Sequence, residues 1–155
     1  MYQKILVPLD GSDLAECVLP HVKAIAGGCG VGSVIFVQVA DTFLSHPTGG
    51  GGWFNDELIK KYDAASKAAA ERYLKQLASQ SDYGKVNIET KVLVGNPAEE
   101  LADFAKKNKA DLIIIATHGR SGISRWVWGS VADRLLRSAC VPVLMVRAPG
   151  CEPGI

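Results

Sequence analysis

The chain has 155 residues, 48% of them hydrophobic and 21% charged, and a formal net charge of +1 from 17 Lys+Arg against 16 Asp+Glu. That length makes one domain. The composition excludes a disordered chain, and the charge balance excludes a strongly basic nucleic-acid binder or an acidic tail as the main theme. No apolar run reaches the ~18 residues of a membrane span. The start MYQKILVPLD has neither the long apolar stretch nor the small-residue cleavage site of a secretory leader. The expectation is a soluble cytoplasmic protein with no membrane or nucleic-acid partner, a folded domain over residues 1–148 and a flexible Gly/Pro-rich tail over 149–155.

In chain order, residues 5–9 form a short apolar run that ends in Asp10-Gly11-Ser12. Ser12 or Asp13 caps a helix expected to run to about Ala26 and to stop at Gly27-Gly28. A second apolar run covers residues 34–39. A long flexible connection follows over residues 41–52, with four consecutive glycines, Gly49, Gly50, Gly51 and Gly52. Such a segment is a disordered loop or a lid over a ligand. From about Trp53 to Ser79, Leu58, Tyr62, Ala65, Ala69, Tyr73 and Leu77 recur at gaps of three or four and predict a helix with one apolar stripe. Val86, Ile88, Thr90, Val92 and Val94 alternate onto one strand face. Asn96-Pro97-Ala98-Glu99 opens a helix: Asn caps, Pro suits the first helical position and Glu completes a capping box. That helix ends near Asn108. Residues 112–116 are a wholly apolar strand, a last helix runs from about Gly129-Ser130 to Ser138, and residues 141–146 form the last strand.

The order β-α-β-α-β-α-β-α-β means an α/β fold. Unbroken apolar runs fit parallel strands buried on both faces. Five strands suggest a doubly wound sheet, on which ligands bind outside the carboxyl ends of the strands at the switch in strand order. Function is therefore sought after Leu9, Val39, Val94 and Ala116.

The segment Thr117-His118-Gly119-Arg120-Ser121-Gly122, followed by Gly129-Ser130 at a helix start, carries the most chemistry. Glycines admit close approach of backbone N–H groups, and a helix N-terminus adds unpaired donors and a positive dipole end. Residues 117–147 carry five Arg and one Asp, against twelve basic and fourteen acidic residues over 1–116. The segment is a phosphate cradle or a solvated Gly-rich loop; spacing leaves both open. Asp10, at the end of the first strand, is a ribose or metal ligand or a turn former with Gly11, again evenly balanced. Ser12 and Asp13 read first as helix caps.

Other signatures fail. GxxxxGK[ST] is absent, Gly27 to Gly32 lacks GxGxxG spacing and precedes a strand, and Gly119-Arg120-Ser121-Gly122 misses the GxSxG spacing because Ile123 stands at the second glycine. His21 and His46 have no partner at useful spacing, and His118 has no paired carboxylate or nucleophile. Trp126 and Trp128 read as packing anchors or an interface patch. Cys17, Cys29, Cys140 and Cys151 form no CxxC pair. Cys17 and Cys140 are expected in apolar surroundings.

The stretches KILVPLDGSDLAE, VLVGNPAEEL and ADLIIIATHGRSGISRWVWGSVADRLLRSACVPVLMVR resemble the universal stress protein family over nearly the whole chain. The resemblance implies a five-stranded α/β fold of strand order 3-2-1-4-5. It also implies a homodimer through antiparallel pairing of the last strands, here beginning at Val143 and ending at Arg147. The ATP-binding branch carries Gly-x2-Gly-x9-Gly-[Ser/Thr]. Gly119, Gly129 and Ser130 match this pattern, and Ala116 stands where the first glycine belongs. By the same match, Asp10 lies near the ribose and, through a nucleotide-bound Mg²⁺, the metal. Val39 meets the adenine by its backbone. Pro8, Leu9, Ser12 and Gly95 line the same region. Gly119, Gly129, Ser130 and Val131 hold the phosphates, with Ala116, Thr117, His118 and Arg120 beside them.

The leading reading is a stress-response regulator or sensor that binds ATP or AMP, with Mg²⁺ if ATP. No catalytic residue is assigned and hydrolysis is at most slow, since no water-activating base is positioned. The alternative is a dimeric interaction module of the non-nucleotide branch, with Ala116 marking the loss of binding. An ATP-cleaving synthase ranks last, because residues 9–13 are too short and acidic to grip pyrophosphate.

Overall fold

The computed structural model describes residues 2–42, 56–117 and 129–147. Among these residues ten elements follow one another: β1 (Lys4–Pro8), α1 (Asp13–Glu16), α2 (Leu19–Cys29), β2 (Ser33–Ala40), α3 (Asp56–Gln80), β3 (Asn87–Val94), α4 (Pro97–Lys107), β4 (Leu112–Ala116), α5 (Ser130–Ser138) and β5 (Val143–Val146). The strands form one parallel sheet of order β3-β2-β1-β4-β5. β1 and β4 are neighbours although a full β-α-β-α excursion separates them in sequence, so the switch in strand order lies between them.

Alternation of side chains divides the core between the two faces of this sheet. Ile5, Val7, Val34, Phe36, Leu112 and Ile114 pack with Val18, Val22, Leu74 and Leu77 from α2, α3 and the turn before α2. Leu6, Ile35, Val37, Ile113 and Ile115 pack with Leu101, Ala105, Ala132 and Leu135 from α4 and α5. The central strands are therefore apolar at consecutive positions, as the unbroken runs in the sequence require.

Six local expectations are corrected. The helix after Ser12 is two helices. Cys17 N–H and Val18 N–H bond three residues back, to Leu14 and Ala15 carbonyls. Pro20, with no N–H to continue the ladder, sits at the start of α2. Nor does α2 stop at Gly27-Gly28; it runs through both to Cys29. Gly30 takes the left-handed conformation (φ 64°) and its N–H closes on the Ala26 carbonyl.

The buried face of α3 keeps Leu77 and the half-buried Tyr73 from the expected stripe but departs from it toward the start of the helix. Ala70, Leu74 and Leu77 are buried, whereas Leu58 and Tyr62 are exposed. A helix of 25 residues is ~37 Å long, and a strand of eight is only ~26 Å, so about two turns of the helix extend past the sheet. Val94, at the end of the edge strand β3, is likewise exposed rather than aligned with the half-buried Ile88, Thr90 and Val92. Asn96 does occupy the N-cap of α4 with Pro97 in the first turn, but its side chain makes no capping bond. Finally, Cys17 is half-buried against the core and burial pushes its thiol pKa up, but Cys140 is exposed in the connection into β5.

One contact ties α3 to α1. The Tyr73 hydroxyl donates to Glu16 Oε1 at 2.9 Å. Burial first, then this bond and the charges of Glu16, Asp10 and Asp13, push the Tyr73 hydroxyl above the usual tyrosine range. Its folded-state pKa is raised, so its contribution to stability is complete below pH ~10 and falls as pH rises beyond it. Tyr73→Phe is expected to cost ~1 kcal/mol at neutral pH and to flatten that alkaline loss, as read from urea midpoints at pH 7 and above pH 10.

Candidate functional site

A cavity of about 270 Å³ opens at the carboxyl ends of the strands. Its floor is Pro8 of β1, Val37, Gln38 and Val39 of β2, and Ile115 and Ala116 of β4, with Leu9, Asp10, Asp41 and Thr117 just beyond those strands. Ala15 of α1 forms one wall, Pro97 and Leu101 of α4 another, and Gly129, Ser130, Val131 and Ala132 a third. It spans the β1/β4 switch, where the loops leaving neighbouring strands diverge to opposite faces and leave a crevice.

Asp10, Gly11 and Ser12 form a closed turn. Asp10 Oδ1 accepts from Ser12 N–H at 3.0 Å and from Ser12 Oγ at 2.6 Å. Ser12 Oγ in turn accepts from Ala15 N–H at 3.2 Å, which caps α1. Gly11 allows the turn with φ 81°. Asp10 is thus both a turn former and a cavity residue. Ser12 is a cap and is not among the residues lining the cavity.

The other end is a helix terminus. Thr117 N–H donates to the Val146 carbonyl at 2.8 Å, and the Thr117 carbonyl accepts from Gly129 N–H at 2.7 Å. These bonds fix the start of α5 beside the end of β4. Gly129 is the N-cap, and it has no side chain with which to cap this helix. The N–H groups of its first turn have no intrahelical acceptor, and the positive dipole end lies there. The described cavity is therefore polarised, with two carboxylates, Asp10 and Asp41, toward β1 and β2 and a helix N-terminus beyond β4. It offers acceptors for hydroxyl or amino groups at one end and donors for an anion at the other, with apolar walls between.

Of the residues singled out in the sequence, Pro8, Leu9, Asp10, Val39, Ala116, Thr117, Gly129, Ser130 and Val131 meet at this cavity. Gly95 is not among its lining residues. It has φ 138°, and a Cβ there would meet the Glu100 side chain at 2.8 Å, so it shapes the turn into α4. His118, Gly119, Arg120, Trp126, Trp128, His46, Cys151 and the glycines at 49–52 lie outside the described residues. Ala116 is 7% exposed and its side chain belongs to the core with Leu9 and Ala15. Most of the Ala116 methyl is taken up by this packing. Sequence reading missed Gln38 and Asp41. Gln38 had a signal: it is the one polar side chain between Val34 and Ala40.

An open crevice at the switch point of a doubly wound parallel sheet, with a helix N-terminus at one end, defines the class: a three-layer α/β protein with a cavity at the carboxyl ends of its strands. Within that class the family is shown by comparison. The model of the universal stress protein family matches residues 1–147, and the chain belongs to that family. It is 35% identical over 154 residues to universal stress protein MJ0531 of Methanocaldococcus jannaschii, covering 98% of this chain and 86% of that one. The solved structure of MJ0577, from the same organism, superposes with a TM-score of 0.72 at 30% identity, covering 97% of this chain and 99% of that chain. The universal stress protein from Archaeoglobus fulgidus, solved in complex with dAMP, superposes with a TM-score of 0.57 at 26% identity, covering 93% and 97%.

Proposed function

We infer that this stress protein binds an adenine nucleotide in the cavity and acts as a regulator or sensor. The observation that carries the reading is the polarity of the cavity: the α5 N-terminus with Gly129 and Ser130 at one end, and Asp10 and Asp41 at the other. A nucleotide has the complementary order, phosphate at one end and hydroxyl and amino donors further along. The dAMP complex of the Archaeoglobus relative supports the choice of an adenine nucleotide.

In this reading the first-turn N–H groups of α5 and the Ser130 hydroxyl take the phosphates, Asp10 takes a ribose hydroxyl, and the Val39 backbone faces the base. Asp10 is one carboxylate with one oxygen committed to Ser12. Any Mg²⁺ there is held chiefly by the oxygens of a triphosphate. Among the described residues no group of three His, Cys, Asp or Glu side chains is arranged to hold a metal, and no helix is long and apolar enough to cross a membrane. The chain's work is binding and orientation, and binding stabilises the fold by mass action. The edge strand β5, with Leu144 exposed, is the edge through which two copies pair, since an apolar edge calls for cover.

Calorimetric titration of nucleotide-stripped protein with AMP and with ATP plus Mg²⁺ tests the reading, and light scattering on the same sample reads the dimer. Saturable binding with a rise in melting temperature is the expected result. No heat and no thermal shift at millimolar nucleotide overturns it. That outcome favours the second reading, a dimeric interaction module, for which the Ala116 methyl at the cavity floor is the specific observation.

A further inference from the structure

Gln38 does not fit the wall it stands in. It is 6% exposed. The residues two and four positions earlier on its face of β2, Phe36 and Val34, are core side chains, and its in-register partner on β3 is Val92, packed against that core. Its Oε1 is buried and has no hydrogen-bond partner among the described residues. A buried amide oxygen left unpaired destabilises the folded state, and native proteins retain few of them. Gln38 nevertheless lines the cavity, beside Leu9 and Ala15, whose side chains lie on the same side of the sheet. Among the described residues the oxygen finds no partner, and a turn of the side chain toward the cavity that Gln38 lines would let a ligand satisfy it.

We propose that Gln38 is a specificity-determining residue whose side-chain amide pairs with the ring edge of the bound base and selects adenine over hypoxanthine. This rests on the reading of the cavity as a nucleotide site. A glutamine amide presents one acceptor and one donor side by side. Adenine offers the complement, the N6 amino donor next to the N7 acceptor, and a glutamine pairs with it in a bidentate way. Hypoxanthine offers two acceptors, O6 and N7. The Gln38 NH₂ can satisfy one of them, but its oxygen then stays unpaired, as it is in the free protein. A site built to hydrogen-bond its ligand rejects the mismatched analogue far more strongly than an apolar wall does.

The test is titration of wild type, Gln38→Leu and the closely shaped Gln38→Met with AMP and with inosine 5′-monophosphate, with ligand-free melting of all three. Wild type is expected to prefer AMP by about tenfold or more. In both variants the preference falls to near one, chiefly through weaker AMP binding. Their ligand-free melting temperatures stay equal to or above wild type, because the unpaired oxygen is gone. An AMP-to-inosine ratio unchanged in Gln38→Met, or absent already in wild type, overturns the role of Gln38 while nucleotide binding stands. Wild type that binds neither nucleotide overturns the nucleotide site and this proposal with it.

Discussion

Gly129→Val is expected to abolish nucleotide binding and leave the fold standing. Gly129 is the N-cap of α5 and forms part of the cavity wall together with Ser130 and Val131. Its backbone, φ −50° and ψ 128°, lies in a region open to L-residues, so valine brings no left-handed strain. Its N–H bond to the Thr117 carbonyl and its carbonyl bond from Asp133 N–H are backbone bonds that valine retains. What changes is space. A branched side chain now stands where a phosphate must approach the first-turn N–H groups, and overpacking of that kind costs ~1–3 kcal/mol. The lost charge-assisted bonds add a similar amount. Affinity for AMP should fall by about 100-fold or more, while the melting temperature without ligand moves by less than about 3 °C. Unchanged affinity in a folded Gly129→Val protein removes α5 from the site and leaves no basis for the phosphate end of the cavity.

The start of α5 was readable before the structure because a helix N-terminus announces itself chemically: Gly129-Ser130 precedes a strongly amphipathic segment, and the observed helix runs Ser130–Ser138. The sheet was readable for a related reason. Strands buried on both faces have to be apolar at consecutive positions, so β2 and β4 stood out without any periodicity. Where the sequence misled, several solutions were locally equal. In α3 the alanines at 64, 65, 68, 69 and 70 lie all round the helix, so a stripe through Leu58 and Tyr62 matched the period as well as the true one through Ala70, Leu74 and Leu77. Only the length of the sheet decides between them. At the end of α2, three glycines at 27, 28 and 30 compete to stop the helix, and the left-handed residue is the last. Half the cavity wall could not be read at all, because Ala15, Leu101 and Ala132 are ordinary core positions in their own helices. They become site residues only when the crossovers bring three helix starts to one end of the sheet. Gln38 was hidden by the same pattern that revealed β2: a single polar residue is easily absorbed into an apolar run.

Phe36→Ala should cause the largest loss of stability, and it separates the scaffold from the site. Phe36 has 0% exposure and heads the fully buried side chains by volume. It lies in register with Val7 of β1 and Thr90 of β3. Its ring meets Tyr83 edge-on, with centroids 6.3 Å apart, an arrangement that adds ~0.5–1.5 kcal/mol to simple burial. Truncation removes this contact and opens a void between the sheet and the helices on that face, at a cost of ~3–5 kcal/mol. That is a large fraction of the ~5–15 kcal/mol that holds a domain together. For a chain of this size the midpoint should fall by roughly 6–20 °C. Phe36 does not line the cavity, although it shares a strand face with Gln38 two residues on. If the strand holds its register, the affinity of the folded variant for AMP should stay within about threefold of wild type, well under the ~1.4 kcal/mol of a tenfold change. AMP at 100 times its dissociation constant should then return ~2.7 kcal/mol, recovering much of the lost melting temperature. The paired measurement is a thermal melt with and without AMP. A loss below ~1 kcal/mol means that the core on this face is not centred on Phe36. A large loss that AMP fails to offset means that the void propagates along β2 to Gln38 and Val39, so that the wall of the site and the centre of the core act as one unit.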